Sequence, residues 1–202
     1  MNAATRKPFN VKEPFAPGTW YTDVGRFHAI AHAQLKRLEA LCEQVNSQWP
    51  KPLGESLKDH EIPKDLDLLV DERDLASDVS RIYAAMSVEA FLNFYGAARI
   101  GESEFNAHFE RLPIVQKARQ LFLICDGQAI AESDPLIVEL KKVSEGRNRL
   151  VHHKAKMALP DDQESKYMTP IPQTARQAVE AMDKFFAEVR AVQPEARHFL
   201  PL

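Results

Sequence analysis

The apolar residues of this 202-residue chain recur every three or four positions over long stretches, and that spacing limits the fold more than any other feature. Leu75, Val79, Ile82, Tyr83, Met86, Ala90 and the run from Leu92 to Phe94 follow it, as do Ala178, Met182, Phe185, Phe186 and Val189. A period near 3.6 puts such residues on one side of a helix, whereas strands would need strict alternation. Glycine, which weakens helix interiors, numbers only seven. The chain is therefore expected to be all-α, and at this length it fits one domain with a sizeable core.

Breaker residues divide the chain. Residues 1–22 carry Pro8, Pro14, Pro17 and Gly18 among Phe9, Phe15, Trp20 and Tyr21, which reads as an extended arm laid over the domain or a neighbouring subunit. Asp23 suits the N-cap of a first long helix reaching about Gln48. Residues 49–70, with three prolines and many acids, read as a long surface connection. A second long helix is expected from between Asp71 and Asp74 to about Ala98, followed by a short helical turn or loop after Gly101. Pro113 suits the first turn of the next helix, which ends at the Asp126-Gly127 break. Ser133, Asp134 and Pro135 then form a cap and first turn for a helix that carries Leu136, Ile137, Leu140 and Val143 on one face. After a proline-containing loop the last helix is expected from about Gln173 to Val192. The expectation is a bundle of four long helices plus a short one in a single domain, residues 23–193, with a C-terminal tail at residues 194–202.

The net charge of −3 does not by itself identify a partner. Its distribution is more informative. Residues 141–156 hold six basic residues against one acid, Glu145, while residues 59–78 hold eight acids against Lys64 and Arg73. Cys42 and Cys125 lie far apart inside apolar helical patterns and suit buried thiols in a reducing compartment. No CxxC or HExxH motif occurs. His28 and His32 are four apart on one helix face, but no carboxylate or cysteine completes a metal set nearby in sequence, so no metal site and no cofactor are expected. The N-terminal stretch lacks the apolar core of a signal peptide and no run approaches a bilayer span, so a cytoplasmic protein without membrane contact is expected.

The basic run holds the chemistry. Arg147, Asn148, Arg149, His152 and His153 fall within seven residues at the end of an apolar helix face. Histidine can take or give a proton near neutral pH, and the arginine fork matches phosphate oxygens. An asparagine beside them can orient either the arginine or a phosphate. These groups suit RNA transesterification without a metal. On an ideal helix Arg147 and His152 are about 140° apart, so they do not serve one phosphate from a straight, isolated helix. A bend would bring them together, and so would a second copy facing the first, which is why a homodimer is expected. On the second long helix, Glu89 and Asn93 share a face among apolar neighbours and need partners. An internal hydrogen bond to another helix would supply them, as would bracing Arg147 or His152 from across the bundle.

Arg147-Asn148-Arg149-Leu150-Val151-His152 resembles the signature of the HEPN superfamily (higher eukaryotes and prokaryotes nucleotide-binding): an arginine, a polar residue, then a histidine after four to six positions. Glu89-Ala90-Phe91-Leu92-Asn93 looks like that family's acidic-plus-asparagine helix. The resemblance covers residues 71–154 and the last helix. It implies a HEPN-like helical bundle, dimeric, with the signature at the dimer cleft. It also implies a metal-independent endoribonuclease, in the manner of toxin–antitoxin or defence effectors. Non-catalytic binding of nucleotide, RNA or a protein is the alternative, since other members work that way. By resemblance Arg147, Asn148 and His152 are the catalytic set, with His152 as acid/base. Glu89 and Asn93 support them. Arg149, His153 and Lys154, in the same basic run, are expected to contact RNA phosphate, although the resemblance assigns His153 no role and a plain surface residue is its other reading. RNA or nucleotide, a second copy and an antitoxin protein are the implied partners.

Overall fold

The computed structural model describes residues 22–48, 64–151, 171–192 and 199–201, and these residues form helices with no strand among them. In chain order the helices are α1 (Val24–Gln48), α2 (Lys64–Ile100), α3 (Glu102–His108), α4 (Ile114–Asp126), α5 (Pro135–Val151) and α6 (Ile171–Val192). The all-α expectation holds. Nearly all of the expected arm and the prolines of the 49–70 connection lie outside the described residues.

The 37-residue α2 organises the molecule, because it touches each of the other five helices. Its two halves differ. In the first half Leu66, Val70, Arg73, Ala76, Ser77 and Ser80 form a single buried stripe, which packs along α1. In the second half, from Ala84 to Ile100, burial extends around most of the helix. Phe91 and Tyr95 stand there in a cluster with Phe122, Phe185 and Phe186, at ring-centroid separations of 5.5–6.0 Å between Tyr95 and Phe122 and between Phe91 and Phe186. Burying each such ring contributes roughly 1.5–3 kcal/mol.

The start of α2 corrects the sequence reading. It begins at Lys64, ahead of the expected 71–74. Among the acids that suggest a surface connection, Asp65 and Asp67 lie on the exposed side of a helix whose other side is Leu66 and Val70, packed on Val45 of α1. Asp65 and Asp67 in the first turn also suit the positive end of the helix dipole.

α1 and α2 run antiparallel, and two hydroxyls join them. Ser80 Oγ donates to the Ala31 carbonyl at 2.9 Å, and Ser87 Oγ donates to the Val24 carbonyl at 2.9 Å. Both serines are fully buried, so these bonds satisfy groups that water does not reach. A second polar brace joins α2 to α4. Arg99 donates to Asp126 at 3.0 Å and to the Cys125 carbonyl at 2.6 Å, and the Tyr95 hydroxyl donates to Asp126 at 2.5 Å. Burial pushes the neighbouring Cys125 thiol up to about 12, which makes it inert.

The helix ends follow their local chemistry. Asp134 Oδ1 accepts the Leu136 amide at 3.0 Å with Pro135 at the first helical position, as expected for α5. α4 closes on Gly127 at φ +70°, with Gly127 N bonded to the Leu123 carbonyl and Gln128 N to the Phe122 carbonyl. The bond from Gly127 N to the Leu123 carbonyl is the closure of an αL motif, and the left-handed residue suits glycine. Pro113 stands just before α4, at its N-cap, and the first turn starts at Ile114. α6 starts at Ile171, two residues before the expected Gln173. The end of the expected tail is part of the bundle: the Phe199 ring lies 4.7 Å from Phe94 and Leu200 is buried in the main core.

Gly96 is required by close packing. A methyl group there would stand 2.6 Å from Phe105 Cε2 and 3.1 Å from Leu121 Cδ2. Gly25 on α1 has nothing within 4 Å of that position. The two glycines therefore respond oppositely. Gly96→Ala is expected to destabilise by about 1–2 kcal/mol despite the better helix propensity of alanine, and Gly25→Ala to be neutral or stabilising by up to about 1 kcal/mol. Urea unfolding of both variants measures this directly.

Candidate functional site

α5 carries Arg147 on the side turned toward α2. Its Nη1 lies 3.6 Å from Glu89 Oε2, so Glu89 does brace the arginine from across the bundle. The other oxygen, Oε1, lies 3.6 Å from Lys117 Nζ on α4. Lys117 Nζ in turn donates to Asn93 Oδ1 at 2.6 Å. One carboxylate thus serves two cations from two helices, and Asn93, one turn along α2, fixes the second cation.

Exposure grades this cluster from inside to outside. The Lys117 side chain is 0% exposed, Glu89 30% and Arg147 43%. Lys117 Nζ also sits 5.7 Å from the centre of the Phe105 ring, an attractive position for a cation. Burial lowers the Lys117 amine below its ordinary value, while the charge and hydrogen bond of Glu89 pull it back up. Arg147 stands at the outer end with part of its fork facing solvent. Asn148, one residue on, is exposed.

The turn bearing Arg147 is held a second way. Arg81 of α2 donates to the Gly146 carbonyl at 2.9 Å. A methyl group at Gly146 would lie 3.7 Å from Ala178 Cβ, so α5 also approaches α6 closely there. The backbone under Arg147 is therefore clamped between α2 and α6.

The structure thus joins Glu89, Asn93 and Arg147, which the sequence nominates separately, and adds Lys117, which it does not. A signal for Lys117 existed. Ile114, Ala118 and Leu121 are buried at helical spacing, and Lys117 falls inside that stripe. For Arg149 only the helical backbone is described, and His152, His153 and Lys154 lie outside the described residues.

A second polar cluster corrects the reading of the histidine pair. His28 Nε2 lies 2.9 Å and His32 Nε2 3.1 Å from the same Asp183 Oδ1, on α6. The carboxylate absent nearby in sequence comes from more than 150 residues away. Burial lowers the His28 imidazole below its ordinary value, and its hydrogen bond to the Asp183 carboxylate opposes that.

In comparisons with known proteins, no family model, no curated protein and no solved structure matches the chain. Among the described residues no helix is long and apolar enough to cross a membrane.

Two outcomes are expected from the Glu89 cluster. Glu89→Gln leaves two cations facing a neutral amide and is expected to cost about 1–3 kcal/mol, with a large part of that cost absent when Lys117 is already methionine. A double-mutant cycle in urea measures the coupling. The pH dependence has a definite sign. With the folded amine below its ordinary 10.5, the unfolded chain holds a proton that the folded chain has released between the two values. Stability of the wild type relative to Lys117→Met therefore rises with pH in the alkaline range and levels off above 10.5. A flat difference would remove the buried-amine account.

Proposed function

We propose that the bundle is HEPN-like and that the protein is a metal-independent endoribonuclease acting as a homodimer in the cytoplasm. The observation that carries this reading is the contact of Arg147 with Glu89 at 3.6 Å. It ties the Arg147-Asn148…His152 stretch to the Glu89…Asn93 helix, the two segments on which the resemblance rests. A guanidinium held from behind by a carboxylate, with its outer side open, is positioned to receive a phosphate without first losing side-chain freedom.

In the proposed reaction His152 takes the proton from a ribose 2′-hydroxyl, whose oxygen attacks the adjacent phosphorus. Arg147 stabilises the charge that develops on the phosphorane oxygens, and Asn148 positions the phosphate. The P–O5′ bond then breaks as His152, now protonated, returns that proton to the 5′-oxygen, giving a 2′,3′-cyclic phosphate and a 5′-hydroxyl. Arg149, His153 and Lys154 contact flanking phosphates, and the second copy completes the cleft. A toxin or defence effector held in check by an antitoxin protein is the role that fits this chemistry.

The net charge of −3 favours a second reading, a non-catalytic module that binds nucleotide, RNA or a protein surface, because enzymes of long RNA often carry a broader basic surface. One experiment separates the two. Purified protein is incubated with mixed RNA and chelator beside His152→Ala and Arg147→Ala, and the product ends are analysed. The enzyme reading expects cyclic-phosphate ends and a fall in rate of about 100-fold or more in either variant. Equal cleavage by wild type and His152→Ala, or none by any of the three, overturns it. RNA binding that survives His152→Ala but weakens with Arg147→Ala and with salt supports the binding module.

A further inference from the structure

Outside the Glu89 cluster, the strongest convergence of ligand-type atoms is where α1 meets α6. His28 and His32 are one helical turn apart on α1, and their rings lie 4.5 Å centre to centre. Asp183 of α6 directs one oxygen at both: His28 Nε2 is 2.9 Å and His32 Nε2 3.1 Å from Oδ1. The ligand atoms, one from each residue, all lie within 4.8 Å of one another. They open into a cleft of about 420 Å³ that Phe186, Arg190 and Pro201 also line.

A carboxylate oxygen has two lone pairs, so Asp183 Oδ1 can accept an N–H from each ring when no cation is bound. A cation placed among the three atoms is attracted by all of them. Zinc–nitrogen and zinc–oxygen bonds of about 2.0–2.2 Å in a tetrahedral site put ligand atoms roughly 3.3–3.6 Å apart. The Nε2–Oδ1 distances of 2.9 Å and 3.1 Å lie within a few tenths of an ångström of that range, and His32, with its side chain 43% exposed against 17% for His28, is the imidazole freer to adjust. Two imidazoles and a carboxylate are also a borderline-soft set that suits zinc better than magnesium or calcium.

We propose that His28, His32 and Asp183 form a binding site for a divalent cation of the zinc class, with one coordination position open to the cleft. The cation joins α1 to α6. Arg190, on the cleft wall, suits an anionic ligand in the fourth position. The site is independent of the proposed nuclease chemistry, which needs no metal.

The full chain, stripped with chelator and returned to metal-free buffer, is titrated with Co2+ and with Zn2+. Co2+ is expected to give the visible absorption bands of a four-coordinate site at one equivalent. Zn2+ at a hundredfold excess over its Kd is expected to raise Tm by roughly 5 °C or more, with no such rise for Mg2+. His32→Gln and Asp183→Asn are expected to lose the bands and weaken Zn2+ binding at least about tenfold. Absence of the bands and of the Tm rise in the wild type overturns the proposal, as does their persistence in His32→Gln. Should Asp183→Asn fail to fold, the wild-type spectrum and the more exposed His32→Gln still decide it.

Discussion

A buried amine sets the terms for one side of this molecule. Lys117 has no exposed side-chain surface, yet it stands on a helix that must pack its face into the core. Leaving such a group without partners in an apolar interior would cost more than most single contacts contribute. Asn93 and Glu89 resolve this from α2, and doing so fixes the rotation of α2 about its axis relative to α4. The same carboxylate then has an oxygen to offer Arg147. What looks from outside like a phosphate-type arginine is, from inside, the last member of a chain of charges that begins with a core-packing requirement. Stability and the candidate site share Glu89.

How much of this was legible in the sequence depended on distance along the chain. Local chemistry was readable: the cap at Asp134 and Pro135, the closure at Gly127 and the existence of the helices follow from neighbouring residues. The start of α2 was less so, because eight acids over residues 59–78 suggest a solvated connection, whereas Leu66 and Val70 at spacing four already mark a buried stripe. A stripe only two residues wide is easily outweighed by charge when a sequence is read. Glu89 and Asn93 stood out as polar residues among apolar ones. Lys117 carried the same signal in a weaker form, since lysine stems often lie along apolar surface with the amine in water.

Asp183 marks the other limit. Nothing near it in sequence distinguishes it from the remaining polar residues of α6, and its partners are on α1 at the opposite end of the chain. Only the packing of the first described helix against the last long one brings His28, His32 and Asp183 together. Spacing rules for metal ligands work when the ligands share a short segment. They are silent when a tertiary contact supplies the third.

The two serines on α2 have a consequence beyond satisfying their own hydroxyls. Ser80 and Ser87 are seven residues apart, and so are the carbonyls they reach, Ala31 and Val24. The pair works like the teeth of a keyed shaft. Sliding α1 by one turn, about 5.4 Å, would disengage both at once and leave two hydroxyls dry. His28 lies between the two engaged carbonyls and His32 directly follows Ala31. The serines of one helix thereby index the height at which the imidazoles of another meet the carboxylate of a third.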